Sequence, residues 1–425
     1  MTSPTAASPE AIAHLVNNHG VDLEWLQPLY QHLHANPELS GMEEETAARI
    51  AAELNRFDCE VTSHIGGHGI VALFRNGTGP TVLMRADFDA LPVEEATGAP
   101  FASTKKMVRK DGSETFVMHA CGHDMHVTGL LGACAILDAH REAWQGTFVA
   151  LFQPSEEDST GAEAMISGGL GQLIPRPDVC LGQHIVAGPA GQVMTMPGAA
   201  LAACDTVTID IFGRSAHGSS PQDSIDPTVI AAMIVVRLQA IVAREVSPFD
   251  FAVISVGTLQ AGNTNNTIPA TAKLVLNCRF YSEKIRERVY ASLQRVVKAE
   301  CYASGCEKEP VFTWSCHGEL TDNDPLVFHT VRPVFDACFG ADSTNAQPWT
   351  ASEDFSNIPR YFGAPYLFWT VGVTPRTQWD LAVEHDSVAR DIPGNHMSRF
   401  LPDFAPTASA CVRAGAAAVL AYLAR

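Results

Sequence analysis

The sequence predicts an α/β fold in which helices cover a mostly parallel sheet and a smaller α+β domain is inserted. Three apolar stretches, "TVLMRADFDAL", "TFVALFQPSEE" and "VCLGQHI", each end in charged or polar residues and are separated by helical segments. Buried strands that alternate with helices are typical of a parallel sheet covered on its faces. Near Cys204 the continuous apolar stretches give way to alternating apolar and polar residues. A chain of 425 residues is long enough for two or three domains.

Hydrophobic periodicity predicts the elements of the larger domain. Residues 43–55 carry Ala47, Ile50 and Leu54 at helical spacing, and the turn "RNGTGP" separates the strands "GIVALF" and "TVLMRADFDAL". A helix of small residues is expected over 127–137, and an alanine-rich helix over 408–423. The larger domain is therefore predicted over 1–203 and 315–425, with polar residues gathered at the carboxyl ends of its strands, where open α/β sheets bind ligands.

The inserted domain is predicted over 204–314. The stretch "DTVTIDIFGRSAHGSSP" alternates as a half-buried strand does, and "FAVISVGTLQAG" and "TAKLVLNCRFYS" predict two further strands. Helices are expected over 227–242 and 283–303. This β-α-β-β-α order is typical of a small α+β domain.

Composition excludes several classes of protein. The net charge of -19 disfavours nucleic acid as a partner, because an acidic surface repels phosphate. The most apolar window, 229–243, is interrupted by Arg237 and Gln239, so no membrane span is expected. The N-terminus lacks the pattern of a secretory signal, and the 11 scattered cysteines suit a reducing compartment. We therefore expect a cytoplasmic protein.

The segment "HACGHDMH" has three readings that its residues alone leave open. Cys121 and His123 are good ligands for zinc and other late divalent metals. The same residues also fit a reactive thiol, or a polar helix start with no chemistry.

A second cluster, "QPSEE", places Glu156 and Glu157 after an apolar strand. Burying paired carboxylates is costly unless a cation compensates them, and a solvated helix start is the alternative. His184, His217 and His396 are each, taken alone, more often structural than functional. If the strand ends converge, however, one site gathers Cys121, His123, Glu157 and His184.

The chain resembles the metal-dependent amidohydrolases and peptidases that include hippurate hydrolase, N-acyl-amino-acid amidohydrolases and the indole-acetyl-amino-acid hydrolases, relatives of aminoacylase and carboxypeptidase G. Matching stretches run in family order over nearly the whole chain: "LHANPELSGMEEET", "MRADFDALPVEEATGAPFAS", "MHACGHDMHVTGLLGAC", "FQPSEEDSTGAEAMISGGL", "GQHI", "GRSAHGSSPQDSIDP", "VGTLQAGNTNNTIP", "CRF", "ASEDFS" and "NHMSRF". Two departures are Ser155, where the family usually has alanine, and the stretch "VAGPAGQV" after His184.

This resemblance implies a metallopeptidase-like catalytic domain with an inserted dimerisation, or lid, domain. It implies two divalent ions (Zn, Mn, Co or Ni) in a homodimer that acts on a small amide. The implied ligands are Cys121, His123, Glu157, His184 and His396, with the Cys121 thiolate bridging both ions.

The resemblance also implies roles around the metals. Glu156 would be the general base, and His217 would reach across the dimer to polarise the substrate carbonyl. Asn266 and Arg279 would hold the acyl amino acid, and Asp89 would orient a ligand histidine.

Other activities remain open at this point. A dipeptidase or carboxypeptidase of the same superfamily, and a non-catalytic metal-binding dimer, both fit the ligand set. An enzyme with Cys121 as nucleophile would need a metal-free thiol. A serine hydrolase is disfavoured because the sequence has no GxSxG motif.

Overall fold

The computed structural model describes residues 7–425, apart from the side chain of Cys316. The chain forms two compact units. The larger unit contains the residues up to Ala200 together with Asp322–Gln347 and Asp354–Arg425, and the smaller unit contains Leu201–Thr321 and Pro348–Glu353.

The helices are α1 (Pro9–Asn17), α2 (Leu26–Ala35), α3 (Glu44–Leu54), α4 (His123–Ala139), α5 (Gly161–Ser167), α6 (Leu170–Leu173), α7 (Pro227–Glu245), α8 (Glu283–Ala303), α9 (Pro325–Phe339), α10 (Asn357–Phe362), α11 (Arg376–Glu384), α12 (Val388–Asp391) and α13 (Phe404–Leu423). The strands are β1 (Glu60–Ile65), β2 (Gly69–Asn76), β3 (Thr81–Asp87), β4 (Lys106–Val108), β5 (Glu114–Phe116), β6 (Gly146–Gln153), β7 (Val179–Pro189), β8 (Val193–Thr195), β9 (Gly198–Leu201), β10 (Ala203–Phe212), β11 (Ala216–His217), β12 (Ala252–Ala261), β13 (Thr267–Ile268), β14 (Thr271–Phe280), β15 (Val311–Gly318), β16 (Thr321–Asn323), β17 (Ser343–Asn345) and β18 (Tyr366–Thr374).

The larger unit is built on an eight-stranded sheet in the order β1-β2-β6-β3-β7-β18-β8-β17. Its central strands β6, β3, β7 and β18 are parallel, and antiparallel pairs flank them. This confirms the predicted α/β class with a mostly parallel sheet. The register pairs Asp87 with Gln153, so the charged residues after β3 and the "SEE" segment after β6 leave the sheet at the same edge. Strand β18 is not among the predicted strands, although it lies beside β7 and pairs Thr370 with His184.

Helix α4 starts at His123, four residues before the predicted helix, and is buried along nearly its whole length. A helix that is apolar on all sides belongs in a core. Its glycines allow close packing on α13, because a Cβ at Gly132 would lie 2.3 Å from Cγ2 of Val412, and one at Gly129 would lie 2.8 Å from Cβ of Cys411. The helix is thereby held firmly with its N-terminus at the sheet edge.

The smaller unit has a four-stranded antiparallel sheet in the order β12-β14-β10-β15, with α7 and α8 packed together. Strand β10 alternates between buried and partly buried residues, as the sequence predicts. Strand β15 extends to Gly318, beyond the predicted limit at residue 314, because its residues continue to pair with β10. The division into a catalytic domain (1–203 and 315–425) and an inserted domain (204–314) stays a prediction about domain roles.

Two helices are long and apolar enough to cross a membrane by length and composition alone, α7 and α13. Core helices meet the same criterion, and 67% of the α13 window is buried. Helix α7 has only 33% of its window buried, and Val229, Met233 and Val236 form an exposed apolar stripe along it.

Candidate metal centre

The turn before α4 brings the CGHD residues beside His184 and Ile185 of strand β7, which continues to Pro189 rather than ending at His184 as the sequence suggests. Gly122 has φ +83°, and a Cβ there would lie 2.2 Å from Cδ1 of Ile185. Only glycine combines this left-handed conformation with so close an approach. The turn therefore places Cys121 beside His184, with 3.4 Å between Sγ and Nε2.

The five predicted ligands lie together in three overlapping groups of metal-ligating atoms. Each group has its donor atoms within 4.8 Å of one another: Cys121, His123 and His184; Cys121, Glu157 and His396; His123, Glu156 and Glu157. Because Cys121 belongs to two of these groups, the chain has candidate sites for two metal ions that share the thiolate.

Hydrogen bonds on one ring nitrogen orient the other ring nitrogen of His123 and of His184 towards the cluster. Nδ1 of His123 lies 3.0 Å from Oδ1 of Asp89, while its Nε2 is buried with no hydrogen-bond partner among the described residues. Nδ1 of His184 donates to the carbonyl of Ile185 at 2.7 Å, which leaves Nε2 as the acceptor facing Cys121. Binding one ring nitrogen elsewhere is the usual way a protein sets the tautomer of a metal ligand.

The residues fit divalent metals. Oε1 of Glu157 is a second buried acceptor with no hydrogen-bond partner among residues 7–425. Buried acceptors without donors are costly unless a cation occupies the space between them. Thiolate, imidazole and carboxylate together are the ligand set of zinc and its neighbours in the first transition row.

The pKa shifts of the residues at the site also favour a bound cation. Burial opposes protonation of His123, but the charges of Asp87 and Asp89 raise its pKa to about 10. Burial, followed by the nearby carboxylates, raises the pKa of the Cys121 thiol well above its usual value. Burial likewise raises the pKa of Glu157 to about 8. Without a cation the cluster retains protons on these groups, and metal ions bind at such sites in exchange for protons.

Asp89 holds two of the ligands at once. Besides the His123 ring, its Oδ2 accepts hydrogen bonds from the backbone N–H of Glu157 at 3.0 Å and from the Ser40 hydroxyl at 2.7 Å. The orienting role of Asp89 stays a prediction, and its contacts with His123, Glu157 and Ser40 are the basis for testing it.

Two other polar residues of "HACGHDMH", His126 and Asp124, form hydrogen bonds to residues next to the cluster. Nε2 of His126 accepts the backbone N–H of Ile185 at 2.9 Å, and Nδ1 contacts Asp87 at 2.5 Å, so His126 has no lone pair left for a metal. Asp124 accepts from His34 at 2.7 Å. These contacts favour supporting roles for His126 and Asp124 over metal ligation.

Two residues that sequence reasoning missed anchor the surrounding loops. Asn395 donates to the carbonyl oxygens of Ile185 at 3.0 Å and Cys121 at 3.3 Å, which fixes the loop that carries His396. Glu43 accepts from the backbone N–H of Ser155 at 2.8 Å. In the sequence, only its position next to His396 indicates a role for Asn395. Nothing in the sequence indicates that Glu43 contacts "QPSEE".

Backbone strain occurs at this site. Ser155 has φ +53° and His396 has φ +69°, a region that side chains other than glycine rarely adopt. Such residues cluster at functional sites, where the surrounding structure enforces them.

The predicted substrate residues lie in the smaller unit. His217 on β11 pairs with Thr267 on β13, and the N–H of Gly218 donates to the carbonyl of Asn266 at 2.7 Å, so His217 and Asn266 are close together. Nδ1 of His217 accepts from the backbone of Ser219 at 3.2 Å. Arg279 lies on a different strand, β14.

Arg279 is partly satisfied within its unit. Its Nε donates to Asn277 at 3.1 Å, whereas its Nη1 is buried with no partner among the described residues. The guanidinium therefore retains a donor that no acceptor among residues 7–425 occupies.

Comparisons with known proteins agree with this geometry. Residues 83–389 match the peptidase family M20/M25/M40. YhaA of Bacillus subtilis (strain 168) is 38% identical over 337 residues, 78% of this chain and 82% of that protein. Hippurate hydrolase of Campylobacter jejuni is 32% identical over 339 residues, 79% of this chain and 85% of that protein. The crystal structure of YXEP of Bacillus subtilis, a dinuclear metal-binding peptidase from the M20 family, superposes with a TM-score of 0.74 and 26% identity, over 94% of this chain and 98% of that one.

Proposed function

Since this chain belongs to the peptidase family M20/M25/M40 and is a metal-dependent amidohydrolase or peptidase, we propose that it hydrolyses the amide bond of N-acyl amino acids. In this proposal Cys121, His123, Glu157, His184 and His396 hold two divalent ions, and Glu156 is the general base. The observation that carries the proposal is the set of three overlapping donor groups, in which Cys121 is shared and Glu156 lies beside His123.

Bound divalent ions supply Lewis acidity, which lowers the pKa of water and makes an amide carbonyl more electrophilic. The protein's own groups handle the protons. Oε2 of Glu156 lies 3.9 Å from Nε2 of His123, and the side chain is 10% exposed. A carboxylate in this position can take a proton from the attacking water and deliver it to the leaving amine.

His217 is our candidate for stabilising the carbonyl oxygen as negative charge develops on it. Because its Nδ1 accepts the hydrogen bond from Ser219, its Nε2 carries the proton and is available to donate. Asn266 and Arg279 are assigned to the carboxylate end of the substrate, where the free Nη1 of Arg279 has the required charge.

We include a homodimer in the proposal. The stripe of Val229, Met233 and Val236 on α7 is between 46% and 64% exposed, and Leu259 on the edge strand β12 is 46% exposed. An apolar stripe next to an unpaired strand edge favours pairing with a second copy.

We also propose a cytoplasmic location, since the ten cysteines whose side chains are described are free thiols.

A relative supports the proposed substrate class: hippurate is an N-acyl amino acid, and the protein named for its hydrolysis matches most of this chain. The second candidate is a dipeptidase or carboxypeptidase, which the family description and the YXEP structure favour. Both candidate functions hydrolyse an amide bond, and they differ in the acyl group on one side of that bond.

The test is to incubate metal-reconstituted protein with a panel of N-acyl amino acids and dipeptides, with and without chelator, and to follow amine release by mass spectrometry. Chelator-sensitive release from N-acyl amino acids supports the proposal, and release from dipeptides alone supports the second candidate. No release by protein whose metal content has been verified would contradict both.

A further inference from the structure

A pocket of about 410 Å³ in the larger unit opens beside Glu157. One wall is apolar and includes Leu39, Met42, Leu91 and Pro92. The opposite side is formed by residues 109–111 of the turn between β4 and β5. A substrate whose carbonyl lies at the metal cluster would extend its acyl group into this space, since Glu157 belongs to both.

The turn is closed by backbone and side-chain hydrogen bonds. The N–H of Arg109 donates to the carbonyl of Ser113 at 2.8 Å, and that of Gly112 donates back to the carbonyl of Arg109 at 2.9 Å. Oδ1 of Asp111 accepts from both the backbone and the hydroxyl of Ser113, at 2.9 and 2.6 Å. These bonds hold the two cations of the turn at the pocket.

The base of the hairpin is anchored independently. Met107 of β4 packs on a small hydrophobic cluster of Leu39, Ala90 and Val117, which is separate from the main core. The cluster therefore joins the hairpin to the apolar wall of the pocket.

The charged side chains that line the pocket differ in the partners they contact within the protein. Nζ of Lys110 pairs with Asp158 at 3.3 Å, and the Asp111 carboxylate is occupied by Ser113. The guanidinium of Arg109, in contrast, makes no hydrogen bond or ion pair with any residue from 7 to 425, and its charge acts on the Asp111 carboxylate only at longer range. Its N–H donors are therefore available to a ligand in the pocket.

Lys110 reinforces this arrangement. Gly41 has φ +74°, and a Cβ there would lie 3.4 Å from Nζ of Lys110 and 3.7 Å from Oγ of Ser155. The lysine therefore lies near the segment that leads to Glu156, and it lines the same pocket as Arg109.

We propose that Arg109 is a specificity-determining residue, assisted by Lys110, which binds a carboxylate at the far end of the acyl group. The preferred substrates would be N-(ω-carboxyacyl) amino acids, whose methylene groups contact the apolar wall and whose terminal carboxylate meets the guanidinium. This inference rests on the proposed function, because it assigns the amino-acid carboxylate to Arg279 and the acyl group to this pocket.

The test compares acyl groups of equal length on the same amino acid, N-succinyl against N-butanoyl and N-glutaryl against N-pentanoyl, with the metal-loaded full chain. We expect a kcat/KM about five- to tenfold higher for the carboxylated member of each pair, as for one exposed charge-assisted hydrogen bond. This ratio should decline as salt is added. It should approach one in Arg109→Gln and be partly kept in Arg109→Lys.

Lys106→Gln is the matched control, because Lys106 is on the same hairpin but its Nζ pairs with Glu114 at 3.0 Å, and it does not line the pocket. It should keep the wild-type ratio. Equal kcat/KM values in the wild type, or a preference that survives Arg109→Gln, would overturn the proposal.

A binding measurement separates this proposal from the proposed function. If neither member of a pair is hydrolysed, the proposed function fails, and calorimetry with glutarate and pentanoate then decides the role of Arg109. Tighter binding of glutarate that is lost in Arg109→Gln supports the carboxylate site, and equal affinities overturn it.

Discussion

Asp89 accepts a hydrogen bond from Nδ1 of His123 at 3.0 Å, and its second oxygen accepts the backbone N–H of Glu157 at 3.0 Å. One buried carboxylate thus contacts two predicted ligands from different segments, His123 at the start of α4 and Glu157 in the loop after β6. The position of each ligand depends on a residue that is not itself expected to touch the metal.

Asp89→Asn should therefore weaken metal binding about 10- to 100-fold while leaving every ligand in place. An amide cannot accept from both His123 and Glu157, since one of its ends is a donor. Competition with a chromogenic chelator measures the affinity. Ser40→Ala is the control, because it removes one hydrogen bond to Asp89 and no ligand contact; an equal loss in both variants would contradict the orienting role.

Glu156→Gln should retain both metals and lower kcat about 10²- to 10⁴-fold, because glutamine cannot take the proton from water. Metal content by elemental analysis and steady-state kinetics on the best N-acyl amino acid test this. Glu157→Gln is the matched variant one residue away and should lose metal as well as turnover. Full activity in Glu156→Gln would show that another group is the base, and absence of turnover in the wild type as well would favour the non-catalytic metal-binding dimer.

Cys121→Ser should reduce the metal content from two ions to one or fewer, since Cys121 is the donor shared by two groups. The hydroxyl is a much poorer ligand than a thiolate for late divalent metals. Cys59→Ser, a partly buried cysteine outside the cluster, controls for thiol loss. If metal content stays at two and only activity is lost, the alternative of Cys121 as nucleophile gains support.

Because His34 is charged in the folded protein, the free energy of unfolding should fall as the pH rises into the alkaline range. Burial opposes its protonation, but hydrogen bonds to Asp124 and Glu95 raise its pKa to about 9. A folded-state pKa above the unfolded value of about 6.5 means that the stabilisation is complete below pH 6.5 and is lost as pH rises through about 9.

The expected loss of unfolding free energy between pH 6.5 and 10 is on the order of 3 kcal/mol. Urea unfolding of the metal-loaded protein across this range measures it. The double variant His34→Gln with Asp124→Asn removes the charged pair and should show a flatter profile. A profile as steep as that of the wild type would mean that other groups cause the pH dependence.

Val236→Glu should convert the proposed dimer to a monomer. Val236 is 64% exposed in the apolar stripe on α7, and a carboxylate there would have to be buried in the proposed interface. Light scattering after size exclusion gives the mass. Leu381→Glu, at a residue 55% exposed on α11 of the larger unit, is the matched control and should leave the mass unchanged.

The sequence predicts much of the fold and of the chemistry. The predicted family membership is confirmed, as are the α/β class and the metal-dependent amide hydrolysis class. The helices α3, α7, α8 and α13 lie within a few residues of their predicted ranges, because each has a continuous apolar periodicity. The roles of individual residues remain predictions that the variants above test.

Sequence by itself determined which residue types were available for the site: a thiol, histidines and paired carboxylates at the ends of apolar strands. Only the tertiary structure decided which of them converge. Nothing local in the chain distinguishes His123 from His126, yet one has an open Nε2 and the other is bound to the backbone of Ile185. The physical reason is that a lone pair is available for a metal only if no donor from a distant strand occupies it, and strand pairing across tens of residues is set by the packing of the whole unit.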